Sequence, residues 1–181
     1  MVYIHLAEGF EEVEALTAVD VLRRAGIDAK TVSVTGSRTV NGTHGIPVSA
    51  DLLFEEADYG ACEMIVLPGG LPGATNLGDH QGLTDQIKAF AASGKKVAAI
   101  CAAPMVLAQC GILDGREATI YPGMEEHLAG AVPTGANVTV CGDIITGRGP
   151  ALAMEFALTL TEELAGAEVR KQVAEGLLFD R

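Results

Sequence analysis

The chain has 181 residues, 49% of them hydrophobic and 20% charged, a composition suited to one globular domain (1–181) with a substantial core. Its formal net charge is −12, from 12 basic and 24 acidic residues. Such a surface repels phosphate backbones and anionic lipid, and no basic stripe offsets it, so neither nucleic acid nor a membrane is an expected partner. Apolar runs are broken by Gly, Pro or charge well below the roughly 20 residues a bilayer crossing needs.

"MVYIHLAEGF" carries no basic segment leading into a long apolar stretch, so no secretory signal is expected and a cytoplasmic location follows. The first elements alternate. "VYIHL" at 2–6 predicts a strand, "EEVEALTAVDVLRRAG" at 11–26 a helix stopped by Gly26, and "AKTVSV" at 29–34 a second strand. "TVNGTH" at 39–44 holds Asn41-Gly42, which predicts a two-residue hairpin turn. "EMIVLPGG" at 63–70 reads as a buried strand ending in a glycine turn, and "LTDQIKAFAASG" at 83–94 as a helix. "KKVAAI" at 95–100 is the next strand, followed by a helix from Cys101 to about Cys110. "EATIY" at 117–121 predicts a short strand, "NVTVCGDIITG" at 137–147 a hairpin around Gly142-Asp143, and 150–166 and 167–178 two helices. Near-continuous apolar strands alternating with helices imply a mostly parallel sheet covered on both faces.

In such a fold ligands bind beyond the carboxyl ends of the strands. Four segments reach that edge: "AEGFEEVE", "LPGG", "CAAP" and "GRGP". There are four cysteines, at 62, 101, 110 and 141, with no C-x-x-C pair, so free thiols in a reducing compartment are expected and no metal or cofactor is implied. Cys101 stands apart by position. It lies between a strand and a helix, where backbone N–H groups and the helix dipole stabilise a thiolate, and Pro104 fits the first turn. No proton partner is adjacent. On the first helix both Glu11 and Glu14 lead apolar stripes facing inward, and a carboxyl in an apolar setting keeps its proton, so either could serve a thiol as acid; periodicity leaves both open. The Gly69-Gly70 turn can offer N–H groups to a developing oxyanion, and Arg148 can bind an anion.

"AEGFEEVE", "VDVLRRAG", "VLPGG", "AAICAAP", "GRGP" and the "EFAL" helix, in this order over nearly the whole chain, resemble the ThiJ/PfpI superfamily, and within it the branch of the parkinsonism-associated protein deglycase and its bacterial YajL-like relatives. The resemblance implies a flavodoxin-like α/β three-layer sandwich and a homodimer. It implies Cys101 as nucleophile, Glu14 as its acid, and the backbone at Gly69, Gly70 and Ala102 as oxyanion donors. Arg24 and Asp20 match interface-side residues. The implied activity is glutathione-independent conversion of methylglyoxal-type α-oxoaldehydes to hydroxy acids, or removal of their adducts from proteins. The alternative is a redox-sensing or chaperone-like dimer operating through Cys101 oxidation without turnover.

The sequence departs from the pattern twice. Protease-like members place a His directly after the cysteine, where this chain has Ala102, which disfavours a peptidase. The deglycase branch has a His after the following strand, where this chain has Tyr121, a hydrogen-bond donor but a poor base. His127, six residues later, and His44, in the hairpin where relatives carry an interface arginine, are the imidazoles that could substitute.

Overall fold

The computed structural model describes residues 1–179. Seven strands form one sheet: β1 (Val2–Leu6), β2 (Ala29–Ser33), β5 (Leu52–Leu53), β6 (Met64–Leu67), β7 (Lys96–Ile100), β10 (Val138–Cys141) and β11 (Ile144–Gly147). Their order is β10-β11-β7-β6-β1-β2-β5, parallel throughout except for the β10–β11 hairpin at one edge. Counted in chain order, the five main parallel strands lie 2-1-3-4-5, the flavodoxin-like arrangement, whose order reverses beside β1.

The central strands are buried on both faces, and their side chains divide at period two. Tyr3, Ile65, Leu67, Val97 and Ala99 pack toward α2 (Gly73–Asp79), α3 (Gln81–Ser93) and α4 (Pro104–Gln109), where they meet Leu77, Ile87, Phe90 and Leu107. Ile4, Leu6, Val66, Ala98 and Ile100 pack toward α1 (Glu12–Arg24) and α5 (Ala153–Ala165), against Ala18, Leu22, Phe156 and Leu160. A last helix, α6 (Ala167–Gly176), closes over α5 through Val173 and Ala174. These are the three layers expected. Among the described residues no helix is long and apolar enough to cross a membrane.

Four expectations need correction. The Asn41-Gly42 pair does not form a two-residue hairpin. β3 (Thr39–Asn41) pairs with β4 (Pro47–Ser49) across a longer loop, with Gly45 rather than Gly42 at positive φ. Gly42 is instead packed beneath Glu12, whose carboxyl occupies the space a Cβ would take. "EATIY" is a strand only over β8 (Glu117–Ala118), because it pairs with the equally short β9 (Val132–Pro133) in a separate ribbon. The helix after Cys101 begins three residues late, at Pro104, since Cys101 itself takes a left-handed conformation, φ 64°. Likewise the helix from 150 opens with a single 3₁₀ turn, Pro150–Leu152, before α5.

Candidate active site

Three connections converge at the reversal point of the sheet. The turn after β1 leads into α1, the Pro68-Gly69-Gly70 turn follows β6, and Cys101 follows β7. The first two are stitched together: Glu11 N–H donates to Gly69 C=O at 2.9 Å and Gly73 N–H to Gly9 C=O at 3.1 Å. Gly70, at φ 85°, allows this approach, because a Cβ there would lie 2.5 Å from the Glu11 nitrogen.

Glu14, 1% exposed, sits on the inward stripe of α1 with Ala18. Its Oε2 accepts the Gly69 N–H at 2.7 Å, while Oε1 is buried without a hydrogen-bond partner of ordinary geometry. Burial pushes the carboxyl up to about 7, against the lowering effects of the Gly69 N–H and the Cys101 side chain, which interacts with it. The two groups are so close that a Cβ on Gly69 would lie 2.7 Å from Cys101 Cβ and 2.8 Å from Glu14 Oε2.

Cys101 is 8% exposed. Burial, and then the Glu14 carboxylate beside it, push the thiol up to about 12, while N–H groups of Gly70 and Ala102 pull the other way. The sequence-based picture of a thiolate settled over a helix terminus is therefore revised. The N–H groups at the sulfur belong to two turns, and the helix starts beyond them. Its partner decides the charge of the sulfur: a proton on Glu14 removes the carboxylate repulsion and leaves a hydrogen bond in its place. The Gly69 N–H is committed to Glu14, so the donors facing the sulfur are those of Gly70 and Ala102.

The remaining candidates are distributed around this centre. Tyr121 is 46% exposed, and its backbone N–H donates to Cys101 C=O at 2.9 Å. Arg148 follows Gly147, whose C=O accepts the Cys101 N–H at 2.9 Å. Tyr121, Pro122, Arg148 and Pro150 line an open cleft of about 580 Å³. His44 does not reach Cys101. Its Nδ1 lies 2.8 Å from Glu12 Oε2 and 3.7 Å from Glu11 Oε1, and its backbone N–H donates to Glu12 Oε1 at 2.8 Å. Glu11, partly buried, is raised by desolvation against the lowering effect of His44. His127 is half exposed, lies 3.9 Å from Glu126, and lines a groove with Leu71, Met105 and Met124. Arg24 pairs with Asp20 at 2.9 Å on the solvent side of α1. The other two histidines are also engaged elsewhere: His5 Nε2 meets Tyr59 Oη at 2.8 Å, and His80 Nδ1 accepts from Leu83 N–H at the start of α3. Among the described residues, then, no imidazole is hydrogen-bonded to Cys101.

Sequence reasoning missed Glu12. It is as buried as Cys101, 6% exposed, and anchors the 42–46 loop through His44. Its partner lies 32 positions away, which no local pattern reveals.

A sequence profile described as "DJ-1/PfpI family" matches residues 1–163. The chain is 39% identical over 175 residues to protein dj-1beta of Drosophila melanogaster, covering 96% of this chain and 94% of that protein. It is 34% identical over 152 residues to a protein named a deglycase from Pyrococcus abyssi, covering 82% and 90%. A solved structure of oxidized Toxoplasma gondii DJ-1 superposes with a TM-score of 0.95 at 37% identity, covering 99% and 98% of the two chains.

Proposed function

The chain belongs to the DJ-1/PfpI family, and we propose that it is a cysteine-dependent enzyme acting on methylglyoxal-type α-oxoaldehydes or on the adducts they leave on proteins. The observation that carries the reading is the buried Glu14 carboxyl set beside Cys101, with Gly69 so tightly between them that a Cβ there would lie 2.7 Å from Cys101 Cβ and 2.8 Å from Glu14 Oε2; burial, which raises the carboxyl, suits it to proton transfer. The deglycase name of the Pyrococcus abyssi relative supports the same class of chemistry.

The steps follow from that pair. Ionised Glu14 takes the thiol proton as the Cys101 sulfur adds to the aldehyde carbon, and returns it to the new oxyanion, giving a hemithioacetal. The Gly70 and Ala102 N–H groups stabilise the oxyanion while it exists. Glu14 then removes the hydrogen on the former aldehyde carbon as a proton. The electron pair left behind reduces the neighbouring ketone through an enediol, the hydroxyl proton of the first carbon passing to the oxygen of the second, and Glu14 protonates that second carbon. The first carbon is thereby oxidised to a thioester on Cys101 and the second reduced to an alcohol, with no external oxidant. Water cleaves the thioester, releasing lactate and restoring the thiol. One residue serves every transfer because its pKa lies near the working pH. The test is lactate production from methylglyoxal by wild type, Cys101→Ser and Glu14→Ala. Loss of turnover in both variants is expected, and equal turnover in all three refutes the mechanism.

A homodimer belongs to this reading. The solvent face of α1 exposes Val13 (46%) and Leu16 (40%) on the side that carries the Asp20–Arg24 pair, and a second copy covers it. Sedimentation at micromolar concentration should give twice the chain mass for wild type and a lower mass for Leu16→Asp. The four free thiols fit a reducing cytoplasm.

One observation favours a second reading, a redox sensor or chaperone-like dimer without turnover: among the described residues no imidazole is hydrogen-bonded to Cys101, and all four histidines are engaged elsewhere or line other surfaces. Mild peroxide followed by intact-mass and peptide mapping separates the two. Oxygen added first at Cys101 in a protein that makes no lactate selects the sensor.

A further inference from the structure

We propose that the cleft between Tyr121 and Arg148 is an anion subsite, and that the natural substrates carry a carboxylate or phosphate group besides the reacting carbonyl. The inference rests on the reading of Cys101 as the nucleophile and narrows its substrate class.

Three observations carry it. First, both walls of the cleft hang from the backbone of the nucleophile: Cys101 N–H donates to Gly147 C=O and Tyr121 N–H donates to Cys101 C=O, each at 2.9 Å. Arg148, next after Gly147, is fixed in turn by its own N–H to Asn137 C=O at 2.9 Å. The Tyr121 ring lies beside Gly149, where a Cβ would be in ordinary contact with it at 3.4 Å. The cleft is thus held in a set relation to the sulfur.

Second, Arg148 is one of two described arginines without a protein carboxylate, and the other, Arg116, donates instead to Cys141 C=O at 3.4 Å. Arg23, Arg24, Arg38 and Arg170 each hold a carboxylate, from Asp51, Asp20, Glu56 and Glu162. Among the described residues Arg148 holds none, although the chain has twice as many acidic as basic residues. The nearby Glu155 accepts from Asn137 Nδ2 at 3.0 Å and Glu125 from Gly123 N–H at 2.9 Å. A planar guanidinium left without a protein carboxylate, in a cleft it shares with a phenol, is a fork for a bidentate oxyanion.

Third, the cleft, whose lining does not include Cys101, has room for an anionic group beside the part of a substrate that reacts at the sulfur. Methylglyoxal carries no charge to place there. An α-oxoaldehyde extended by a short chain to an anionic end uses both the sulfur and the guanidinium.

The test reads anion binding through Cys101 itself. Wild type, Arg148→Gln and Arg148→Lys are treated with neutral iodoacetamide, and alkylation of Cys101 is followed by peptide mass with and without inorganic phosphate or propionate. The quantity compared is the anion concentration that halves each protein's own rate. In wild type at least one anion protects. In Arg148→Gln that concentration rises about tenfold or more, the scale of a lost charge-assisted hydrogen bond, and Arg148→Lys falls between. Protection by phosphate alone assigns phosphate esters, and protection by propionate alone assigns carboxylates. Equal protection in wild type and Arg148→Gln, or none in wild type from either anion, overturns the subsite. Alkylation needs no turnover, so Arg148-dependent protection in a protein inert toward methylglyoxal rejects the glyoxalase reading and keeps the subsite. Turnover without any anion effect does the reverse.

Discussion

Replacing Glu14 with glutamine should stabilise the fold and abolish turnover, and the stabilisation should depend on pH in a way fixed by the carboxyl's environment. Burial raises Glu14 from 4.5 to about 7. The sign follows from linkage: the unfolded chain loses this proton near 4.5 and the folded one only near 7, so ionisation favours unfolding. The penalty is absent below the unfolded value, grows as pH rises between the two, and is complete above the folded one. At 1.36 kcal/mol per unit it reaches about 3 kcal/mol. Glutamine carries no charge, and its carbonyl can still accept the Gly69 N–H that Glu14 Oε2 holds at 2.7 Å. Glu14→Gln should therefore gain on wild type by about 2.5 kcal/mol between pH 5 and pH 8. For a chain of this length the full effect corresponds to roughly 6–12 °C in Tm. Urea melts under reducing conditions at the two pH values measure it. A stability difference that is the same at pH 5 and pH 8 refutes the reasoning, because it means the carboxyl ionises as freely in the fold as in water.

Three other outcomes are expected. With Glu14 as the base, kcat/KM for methylglyoxal should rise about tenfold per pH unit below 7 and level off above it, a limb that a pH–rate series on wild type would reveal. Gly69→Ala should cost both stability, by about 1–3 kcal/mol, and activity, because its methyl would lie 2.7 Å from Cys101 Cβ, 2.8 Å from Glu14 Oε2 and 2.9 Å from Ile100 C=O; thermal melts with a lactate assay check both. The 42–46 loop should be held most firmly between about pH 5 and 6.5. There His44, raised by its hydrogen bond to Glu12, is still protonated, and its contribution fades as pH rises through the raised value. Burial alone would raise Glu12, but hydrogen bonds from the His44 side chain and from backbone N–H groups outweigh it, so the lowered carboxyl stays ionised until pH falls further. Amide exchange of the loop should show this window in wild type and a flat profile in His44→Ala.

The parts of the fold legible in the sequence are those whose cause is local. Buried parallel strands such as Met64–Leu67 are continuous apolar runs, and the Gly142-Asp143 hairpin turn has its glycine at positive φ, 62°. What stayed hidden has a distant cause. α2 reads "GATNLGD", poor in helix formers; it is helical because Ala74 and Leu77 are in the core and Gly73 packs against Gly9. Gly42 looked like a turn glycine and is a close-approach glycine beneath Glu12. The same division runs through the site. The inward stripes of α1 placed Glu11 and Glu14 on the right face, yet only the resemblance to a family separated them. In the structure Glu14 lies at the sulfur, and Glu11 leans toward His44.

The backbone of Cys101 shows how the surrounding fold sustains what a local rule forbids. A non-glycine residue at φ 64° costs on the order of 1–3 kcal/mol, and no propensity in "AAICAAP" favours it. Its peptide groups are secured on both sides, however: the N–H by Gly147 at the end of β11, the C=O by Tyr121, and the next turn by Ala103 N–H to Ile100 C=O at 3.0 Å. These three bonds fix the left-handed turn and offset its strain. The turn places the sulfur beside Glu14, with the Ala102 N–H of the turn and the Gly70 N–H of the neighbouring loop close to it. Two of the three also suspend the walls of the Tyr121–Arg148 cleft. Disturbing either wall therefore acts on Cys101 through its own peptide bonds, which ties the geometry of the Tyr121–Arg148 cleft to that of the thiol.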